Sequence, residues 1–115
     1  MAKPWCALTS PKTNIGHTQA ASGIVNLITA ALALNNRAIP ATLNYQQGNE
    51  DIAFADSPFY INTGLKTWDA AERYSAVSSF GHTGTNAHIV LEQAPLALVE
   101  QVLVEQVLVE QVLVE

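Results

Sequence analysis

The chain has 115 residues, a length that allows one small domain with a single core. Its ten acidic and five basic residues give a formal net charge of −5, without the basic footprint of a nucleic-acid binder. We therefore expect no nucleic-acid partner. The single cysteine excludes an intramolecular disulfide framework and the multi-cysteine zinc modules.

The acidity is concentrated at the end of the chain, where residues 98–115 repeat the five-residue unit LVEQV. This repeat contains four glutamates and no basic residue, whereas residues 1–97 carry five basic and six acidic residues. A five-residue period fits neither a helix nor a strand with one apolar face. On a helix each repeat turns the apolar residues by about 140°, and on a strand each repeat moves them to the opposite face. We predict two parts, a domain fragment at residues 1–95 and a low-complexity tail at residues 96–115.

The sequence contains no pattern that targets it to a membrane. Met1–Trp5 lacks a charged segment followed by an apolar stretch, so we expect no signal peptide. The most apolar stretch before the tail, Ile24–Leu34, is interrupted by Asn26 and Thr29 and is too short to span a bilayer. We expect a cytoplasmic protein that makes no membrane contact.

The first half of the chain predicts a strand, a turn and a helix. The apolar run Trp5–Leu8 predicts the end of a buried strand, and the polar segment Lys12–His17 predicts a glycine-containing turn. Apolar residues then recur at steps of three and four, which predicts an amphipathic helix at about residues 17–35. Asn35 and Asn36 end this pattern.

The second half predicts an exposed loop at residues 44–58, followed by short strands. Phe59–Asn62, Tyr74–Phe80 and Ala87–Leu91 have the composition of strands. The last two are joined by a glycine turn at Gly81–Asn86, which has the length of a hairpin connection or slightly more. The order of strand, helix and further strands predicts an α/β or α+β fold.

Three histidines are candidate chemical groups. His88 lies in an alternating strand, where we expect a structural hydrogen bond. His82 and His88 nominally match the second half of a zinc pattern, but no cysteine pair accompanies them, so we expect no bound metal. The Gly81–Thr85 loop resembles neither a Walker loop nor a dinucleotide fingerprint, and it predicts a tight turn with exposed backbone N–H groups.

His17 lies where a glycine turn becomes the first turn of the predicted helix. Unpaired N–H groups and the positive end of the helix dipole disfavour the imidazolium form at such a place. A neutral imidazole can donate a hydrogen bond to a carbonyl oxygen on which negative charge develops. This position permits a catalytic role for His17, but taken by itself it favours the alternative, a purely structural hydrogen bond.

Two long segments carry the most specific pattern of the sequence: KTNIGHTQAASG at residues 12–23 and SSFGHTGTNAHIVLE at residues 78–92. The first is similar to the lysine–asparagine–glycine–histidine motif of β-ketoacyl synthases, and the second resembles their glycine loop and last strand. Ile39–Leu43 and Trp68 also fit, in order. The chain thus resembles the C-terminal part of a ketosynthase domain from modular type I polyketide synthases.

This resemblance implies an α/β fold, the C-terminal portion of the layered α/β/α/β/α thiolase-like arrangement. The family catalyses decarboxylative Claisen condensation, in which a malonyl unit loses CO₂ and attacks an acyl chain bound to a cysteine. The implied setting is polyketide or fatty-acid biosynthesis. No cofactor is implied, because the phosphopantetheine of an acyl carrier protein carries the substrates.

The resemblance also implies roles for individual residues. His17 matches the second of two histidines that stabilise the enolate oxygen, and Lys12 matches a lysine that anchors the site through a buried ionic and hydrogen-bond network. Asn14 is expected to help fix this turn. The residue that matches His82 supplies a backbone N–H to the oxyanion hole and gates the acyl pocket. The supporting residues of the oxyanion loop are Phe80, Gly81, His82, Gly84, Thr85 and Asn86.

Three departures from the family pattern limit what the chain is expected to do alone. The nucleophilic cysteine and the first histidine lie in the N-terminal portion of the family, and Cys6 does not match that nucleophile. Ser10 and Pro11 replace a glycine–serine pair, and the proline is expected to disturb the strand exit. We expect a fragment whose partners are the missing N-terminal half, an acyl carrier protein and a second copy of the parent domain. The alternative is a non-catalytic remnant or assembly element that binds a partner subunit.

Overall fold

The computed structural model describes residues 3–95, and the predicted tail at residues 96–115 lies outside the described residues. Strand β1 (Cys6–Leu8) leads into the one-turn helix α1 (Lys12–Ile15). A 3-10 turn at Gln19–Ala21 then precedes the long helix α2 (Ser22–Asn36). The strands that follow are β2 (Ala38–Ile39), β3 (Phe59–Ile61), β4 (Lys66–Thr67), β5 (Tyr74–Phe80) and β6 (Asn86–Glu92).

The six strands of the described residues pair two by two. β1 and β3 are parallel, with Ala7 opposite Tyr60. β2 pairs with β4, and β5 with β6, in antiparallel order. A parallel pair needs a crossover connection, and the segment that contains α1 and α2 provides it between β1 and β3. Parallel and antiparallel pairs combined with a crossover helix agree with the predicted α/β class.

Helix α2 packs mainly on β5. Ala30 and Leu34 of the helix and Val77 of the strand are the buried apolar residues of residues 3–95. The two elements approach each other closely at the start of the helix, where a Cβ atom built on Gly23 would lie 2.7 Å from Ser79 Oγ. The first turn of α2 is therefore held against the last residues of β5.

Helix α2 begins later than the sequence pattern predicts. The predicted start lies at about residue 17, but the helix begins at Ser22. Gly16 and Gln19 have φ angles of 80° and 53°, and these left-handed conformations interrupt the helical backbone between α1 and α2. The predicted C-terminal end is confirmed, because Arg37 adopts a left-handed cap with φ 53° and closes the helix after Asn36.

The segment predicted as a polar turn contains helix α1, and Pro11 begins this helix. Pro11 takes the N-cap position with φ −68°, and its carbonyl accepts the N–H groups of Asn14 and Ile15 at 2.9 and 3.1 Å. Proline is tolerated there because the first N–H groups of a helix have no intrahelical partner. Since β1 already ends at Leu8, the proline starts a helix and does not interrupt the strand.

The connection between β2 and β3 is mostly exposed, as predicted for residues 44–58, and contains a short 3-10 turn at Phe54–Asp56. Large apolar side chains are also exposed elsewhere: Trp5, Leu65 and Phe80 are 75%, 79% and 77% exposed. Exposed apolar patches commonly mark surfaces that another protein part covers. Within residues 3–95, no helix is both long and apolar enough to cross a membrane.

Candidate functional site

His17 lies between α1 and α2, and its ring is held at the first residue of α2. The backbone N–H of Gln19 donates to His17 Nδ1 at 3.2 Å, and Ser22 Oγ lies 2.9 Å from the same nitrogen. A backbone N–H can only donate, so Nδ1 is the accepting nitrogen and the ring proton is assigned to Nε2. The side chain is exposed, which leaves Nε2–H available to a carbonyl oxygen.

The His17 ring therefore lies at the N-terminal end of helix α2, as the sequence predicts. What holds it there is a hydrogen bond, not membership of the helix. His17 is not part of the helix; it is tied to Ser22 across the intervening 3-10 turn. A role for Ser22 was not predicted from the sequence. The sequence signal that could have identified Ser22 is a hydroxyl residue five positions after a histidine. This signal is weak because serine is common at helix starts.

Lys12 and Asn14 both lie on α1, just before His17 in the chain. Their side chains are exposed. A buried ionic network around Lys12, which the family resemblance implies, therefore needs groups that cover α1 from outside the described residues. The structure brings Lys12 and Asn14 into the same short segment as His17 but gives them no buried surroundings.

Thr13 fixes this segment, although no role for it was predicted from the sequence. Its Oγ1 donates to the Ser10 carbonyl at 3.0 Å and accepts the Leu43 N–H at 3.0 Å. The first bond holds the start of α1, and the second ties α1 to the connection after β2. Threonine hydroxyls often bond to nearby backbone groups in turns, and this tendency is the sequence signal that could have identified Thr13.

The loop between β5 and β6 is a short hairpin connection. Phe80 and Asn86 form the last pair of the ladder. The Gly81 N–H donates to the Thr85 carbonyl at 2.6 Å, and the Gly84 N–H donates to the Gly81 carbonyl at 3.0 Å. A Cβ on Gly81 would lie 2.6 Å from the Thr85 carbonyl oxygen, and Gly84 has φ 99°. The sequence prediction of a tight glycine turn is confirmed, and both glycines are required by this geometry.

His82 and Thr83 lie at the tip of this hairpin, between the two glycines. Both residues are exposed. Among residues 3–95, no acceptor bonds the backbone N–H of His82 or of Thr83. Within residues 3–95 these two backbone donors are therefore unbonded, and an oxyanion-binding loop needs available backbone donors.

His88 makes the structural hydrogen bond that the sequence predicts. It lies opposite Ser78 in the β5–β6 ladder, and its Nδ1 is 2.8 Å from Ser78 Oγ. Within residues 3–95 there is no group of three or more histidine, cysteine, aspartate or glutamate residues that could hold a metal ion.

The contact between Gly23 and Ser79 brings the two halves of the candidate site together. Ser22, which holds the His17 ring, is the residue before Gly23, and Ser79 directly precedes Phe80 at the start of the hairpin loop. Segments that are far apart in sequence thus meet where α2 begins and β5 ends. Gly23 and Ser79 were missed by the sequence analysis, because a contact of this kind leaves no local pattern.

Cys6 lies in β1, on the wall of a cavity of about 700 Å³ between β1, α2 and β5. Its side chain is partly buried, and this burial raises the pKa of the thiol. Since the thiolate is the nucleophilic form, a raised pKa makes Cys6 less reactive than an ordinary cysteine. The structure thus offers no reason to regard Cys6 as a nucleophile.

Comparison with known proteins finds similarity to polyketide synthases and their ketosynthase domains. The family described as β-ketoacyl synthase, C-terminal domain, matches residues 2–46. Polyketide synthase PksL from Bacillus subtilis is 47% identical over 94 residues, which cover 79% of this chain and 2% of that protein. Polyketide synthase ThaG from Burkholderia thailandensis is 46% identical over 91 residues, which cover 78% and 2%. The chain therefore spans a small part of the curated relatives it matches.

Solved ketosynthases share the fold. The ketosynthase from module 6 of the bacillaene synthase of Bacillus subtilis 168 superposes with a TM-score of 0.78 at 45% identity, over 82% of this chain and 17% of that one. Ketosynthase twelve of the bacillaene polyketide synthase in Bacillus amyloliquefaciens gives 0.77 at 40% identity, over 82% and 17%. These similarities confirm the partial thiolase-like α/β fold, and the chain covers about a sixth of each solved ketosynthase.

Proposed function

We propose that this chain, which belongs to the β-ketoacyl synthase family and is the C-terminal part of a polyketide-synthase ketosynthase domain, supplies one half of a condensing active site. One observation carries the proposal. The start of α2, where Ser22 holds the His17 ring, packs against the end of β5, from which the hairpin loop emerges. Two elements in contact thus carry a donor side chain and a loop whose backbone N–H groups at His82 and Thr83 have no acceptor within residues 3–95.

In the proposed reaction, a malonyl thioester on the phosphopantetheine of an acyl carrier protein loses CO₂. The electron pair of the broken carbon–carbon bond forms an enolate, and the Nε2–H of His17 donates to the oxygen on which negative charge develops. The enolate carbon then attacks the acyl thioester on the cysteine of the N-terminal half. A carbon–carbon bond forms, and that cysteine leaves as a thiolate.

The geometry of His17 suits this role because the ring does not need to reorganise. Nδ1 already accepts the Gln19 N–H at 3.2 Å, so the opposite nitrogen keeps its proton and remains a donor. A donor fixed before the charge develops contributes about 3–4 kcal/mol to the transition state, or a factor of about 10²–10³ in rate.

The remaining site residues support the same reaction in this proposal. Lys12 enters a buried ionic network once the N-terminal half covers α1, and Asn14 helps to hold that segment. The backbone N–H of His82 serves the oxyanion hole, in agreement with its lack of an acceptor within residues 3–95. The rest of the loop keeps this N–H in place: Phe80, Gly81, Gly84, Thr85 and Asn86.

The proposed partners are the N-terminal half of the ketosynthase, an acyl carrier protein and a second copy of the parent domain. The exposed side chains of Trp5, Leu65 and Phe80 support a covering partner. Residues 1–95 form the ketosynthase fragment in this proposal, and residues 96–115 form a separate repeat tail. We propose no cofactor beyond the phosphopantetheine of the carrier protein.

A second candidate function is a non-catalytic assembly element that binds a partner subunit. The same exposed apolar side chains favour it, together with the raised pKa of the Cys6 thiol, which leaves the described residues without an activated cysteine. Both functions require a partner. They differ in whether the assembled protein condenses substrates.

A ketosynthase chimaera separates the two functions. In it, residues 3–95 replace the matching segment of the module 6 ketosynthase of Bacillus subtilis, which is 45% identical in this region. We expect the chimaera to take up an acyl chain and to condense it with a malonyl-loaded carrier protein. A folded, acylated chimaera that forms no condensation product would contradict the catalytic proposal and favour the assembly element.

A further inference from the structure

We propose that Ser22 is a positioning residue that keeps His17 in the tautomer protonated on Nε2; this inference rests on the proposed function of His17. Ser22 is the first residue of α2, and its Oγ lies 2.9 Å from His17 Nδ1. No role follows for Ser22 from the family resemblance. Two groups contact His17 Nδ1, and the Ser22 hydroxyl is nearer to it than the Gln19 backbone nitrogen, which lies at 3.2 Å.

The direction of these hydrogen bonds is fixed by their donors. The Gln19 N–H can only donate, so Nδ1 presents its lone pair and the Ser22 hydroxyl must donate to it as well. Thr18 Oγ1 in turn donates to Ser22 Oγ at 3.3 Å. The result is one consistently directed chain from Thr18 through Ser22 to His17.

A proton on Nδ1 would reverse this arrangement. It would place a ring N–H against the Gln19 N–H, donor against donor. The Ser22 oxygen, which already accepts from Thr18, would then also accept from the ring, and its own hydrogen would lose Nδ1 as its acceptor. The Gln19 N–H already favours the Nε2–H tautomer, and the Ser22 hydroxyl stabilises that tautomer further. That tautomer directs the ring proton away from α2 and towards the exposed side.

The local structure of the helix start supports a dedicated use of this hydroxyl. Serine at a helix start commonly accepts a backbone N–H of the first turn as a cap. Here the cap position is Ala21, and the cap makes no side-chain hydrogen bond. The Ser22 hydroxyl is turned towards the histidine, although a helix start offers free backbone donors to its oxygen.

Nitrogen NMR of the histidine rings tests the inference in the full 115-residue chain. The ¹⁵N shifts of the neutral ring report the tautomer ratio, and His17→Gln identifies the His17 signals. We expect Ser22→Ala to lower the ratio of Nε2–H to Nδ1–H by about fivefold, since it removes one neutral hydrogen bond. Ser22→Thr keeps the hydroxyl and is expected to restore the ratio.

Thr29→Ala is the matched control, because it removes a hydroxyl from the same helix. Thr29 Oγ1 donates to the Val25 carbonyl at 2.8 Å and does not bond His17. We expect this variant to keep the wild-type ratio. An unchanged ratio in Ser22→Ala, or an equal shift in Thr29→Ala, would overturn the inference.

The ketosynthase chimaera separates this inference from the proposed function. We expect Ser22→Ala to lower kcat for condensation while the rate of acyl loading stays unchanged. If Ser22→Ala shifts the tautomer ratio but His17→Ala condenses normally, the positioning role stands and the proposed function fails. If His17→Ala loses condensation and Ser22→Ala leaves the ratio unchanged, the positioning role alone fails.

Discussion

Gly23 of α2 lies directly against Ser79 of β5. A Cβ atom built on Gly23 would be 2.7 Å from Ser79 Oγ and 3.1 Å from Ser79 Cβ, closer than such contacts normally allow. The missing side chain therefore determines how near the first turn of α2 comes to the end of β5. Because Ser22 holds His17 and Ser79 precedes Phe80, this contact sets the spacing between the histidine and the hairpin loop.

The first prediction concerns this contact. Alanine normally favours a helix over glycine by about 1 kcal/mol. At position 23 we expect the opposite sign, a loss of about 1–3 kcal/mol in Gly23→Ala, because the added methyl group overpacks the contact with Ser79. Urea unfolding measures the free energy of unfolding.

A double-mutant cycle with Ser79→Gly provides the control for that prediction. Ser79→Gly removes both close atoms, so the alanine at position 23 should then be tolerated, and the two changes should be strongly non-additive. Asn35→Ala, at an exposed position of the same helix, should change stability little. Additive effects of the two substitutions would show that the contact does not limit the approach of α2 to β5.

The second prediction compares two glycines that have open space around them. Gly84 has φ 99°, whereas Gly64 lies outside the left-handed region, and a Cβ on either would meet nothing within 4 Å. We expect Gly84→Ala to cost about 1–2 kcal/mol from backbone strain alone. Gly64→Ala should be neutral or stabilising by up to about 1 kcal/mol, because it restricts the unfolded chain. Equal thermal midpoints for the two variants would contradict the assigned loop conformation.

The third prediction concerns alkaline titration. Tyr74 donates from its hydroxyl to Glu92 at 3.1 Å, and Glu72 lies at 3.3 Å. The hydrogen bond to Glu92, followed by the negative charge of Glu72, raises the pKa of Tyr74 above its ordinary value of 10.0. The stability that this pair contributes is therefore present below pH 10.0 and is lost as the pH rises through the raised pKa.

Ultraviolet absorbance titration measures this shift. We expect Glu92→Gln to lower the pKa of Tyr74 towards its ordinary value, because the charged acceptor is replaced by a neutral one. Tyr74→Phe identifies which part of the titration belongs to this residue. An identical Tyr74 titration in wild type and Glu92→Gln would refute the assignment.

The fourth prediction concerns Cys6. Burial raises the pKa of this thiol, and the residue does not match the family nucleophile. We expect the chain alone to form no stoichiometric acyl adduct when it is incubated with an acyl thioester. Intact-mass spectrometry checks this, with Cys6→Ser as the control for labelling elsewhere. A full-occupancy adduct that disappears in Cys6→Ser would mean that the chain carries its own nucleophile.

Several parts of the structure could be predicted because their signals are local. Tyr74–Phe80 has the predicted bounds of β5, and the glycines at 81 and 84 mark the hairpin loop. The end of α2 after Asn36 likewise follows from two consecutive asparagines. Strand alternation, turn glycines and helix stops all act within a few residues, so a single sequence is enough to read them.

The start of α2 and the details of the site could not be predicted for physical reasons. Gln19 adopts φ 53°, a conformation that is uncommon for a residue with a side chain and has no sequence signature. The bond from Ser22 to His17 depends on this bend. The contact between Gly23 and Ser79 depends on the packing of two elements that are distant in the chain, which no local pattern records.

The fifth prediction addresses the central claim, that this chain supplies a catalytic histidine. The most direct test compares His17→Ala with His88→Ala in the ketosynthase chimaera, because His88 is bonded to Ser78 in the ladder and has no proposed catalytic role. Condensation is measured with a malonyl-loaded carrier protein, and acyl loading is measured separately. We predict that His17→Ala lowers condensation by about 10²–10³ and leaves acyl loading intact, while His88→Ala retains both. Condensation at the wild-type rate in an acylated His17→Ala chimaera would contradict the claim.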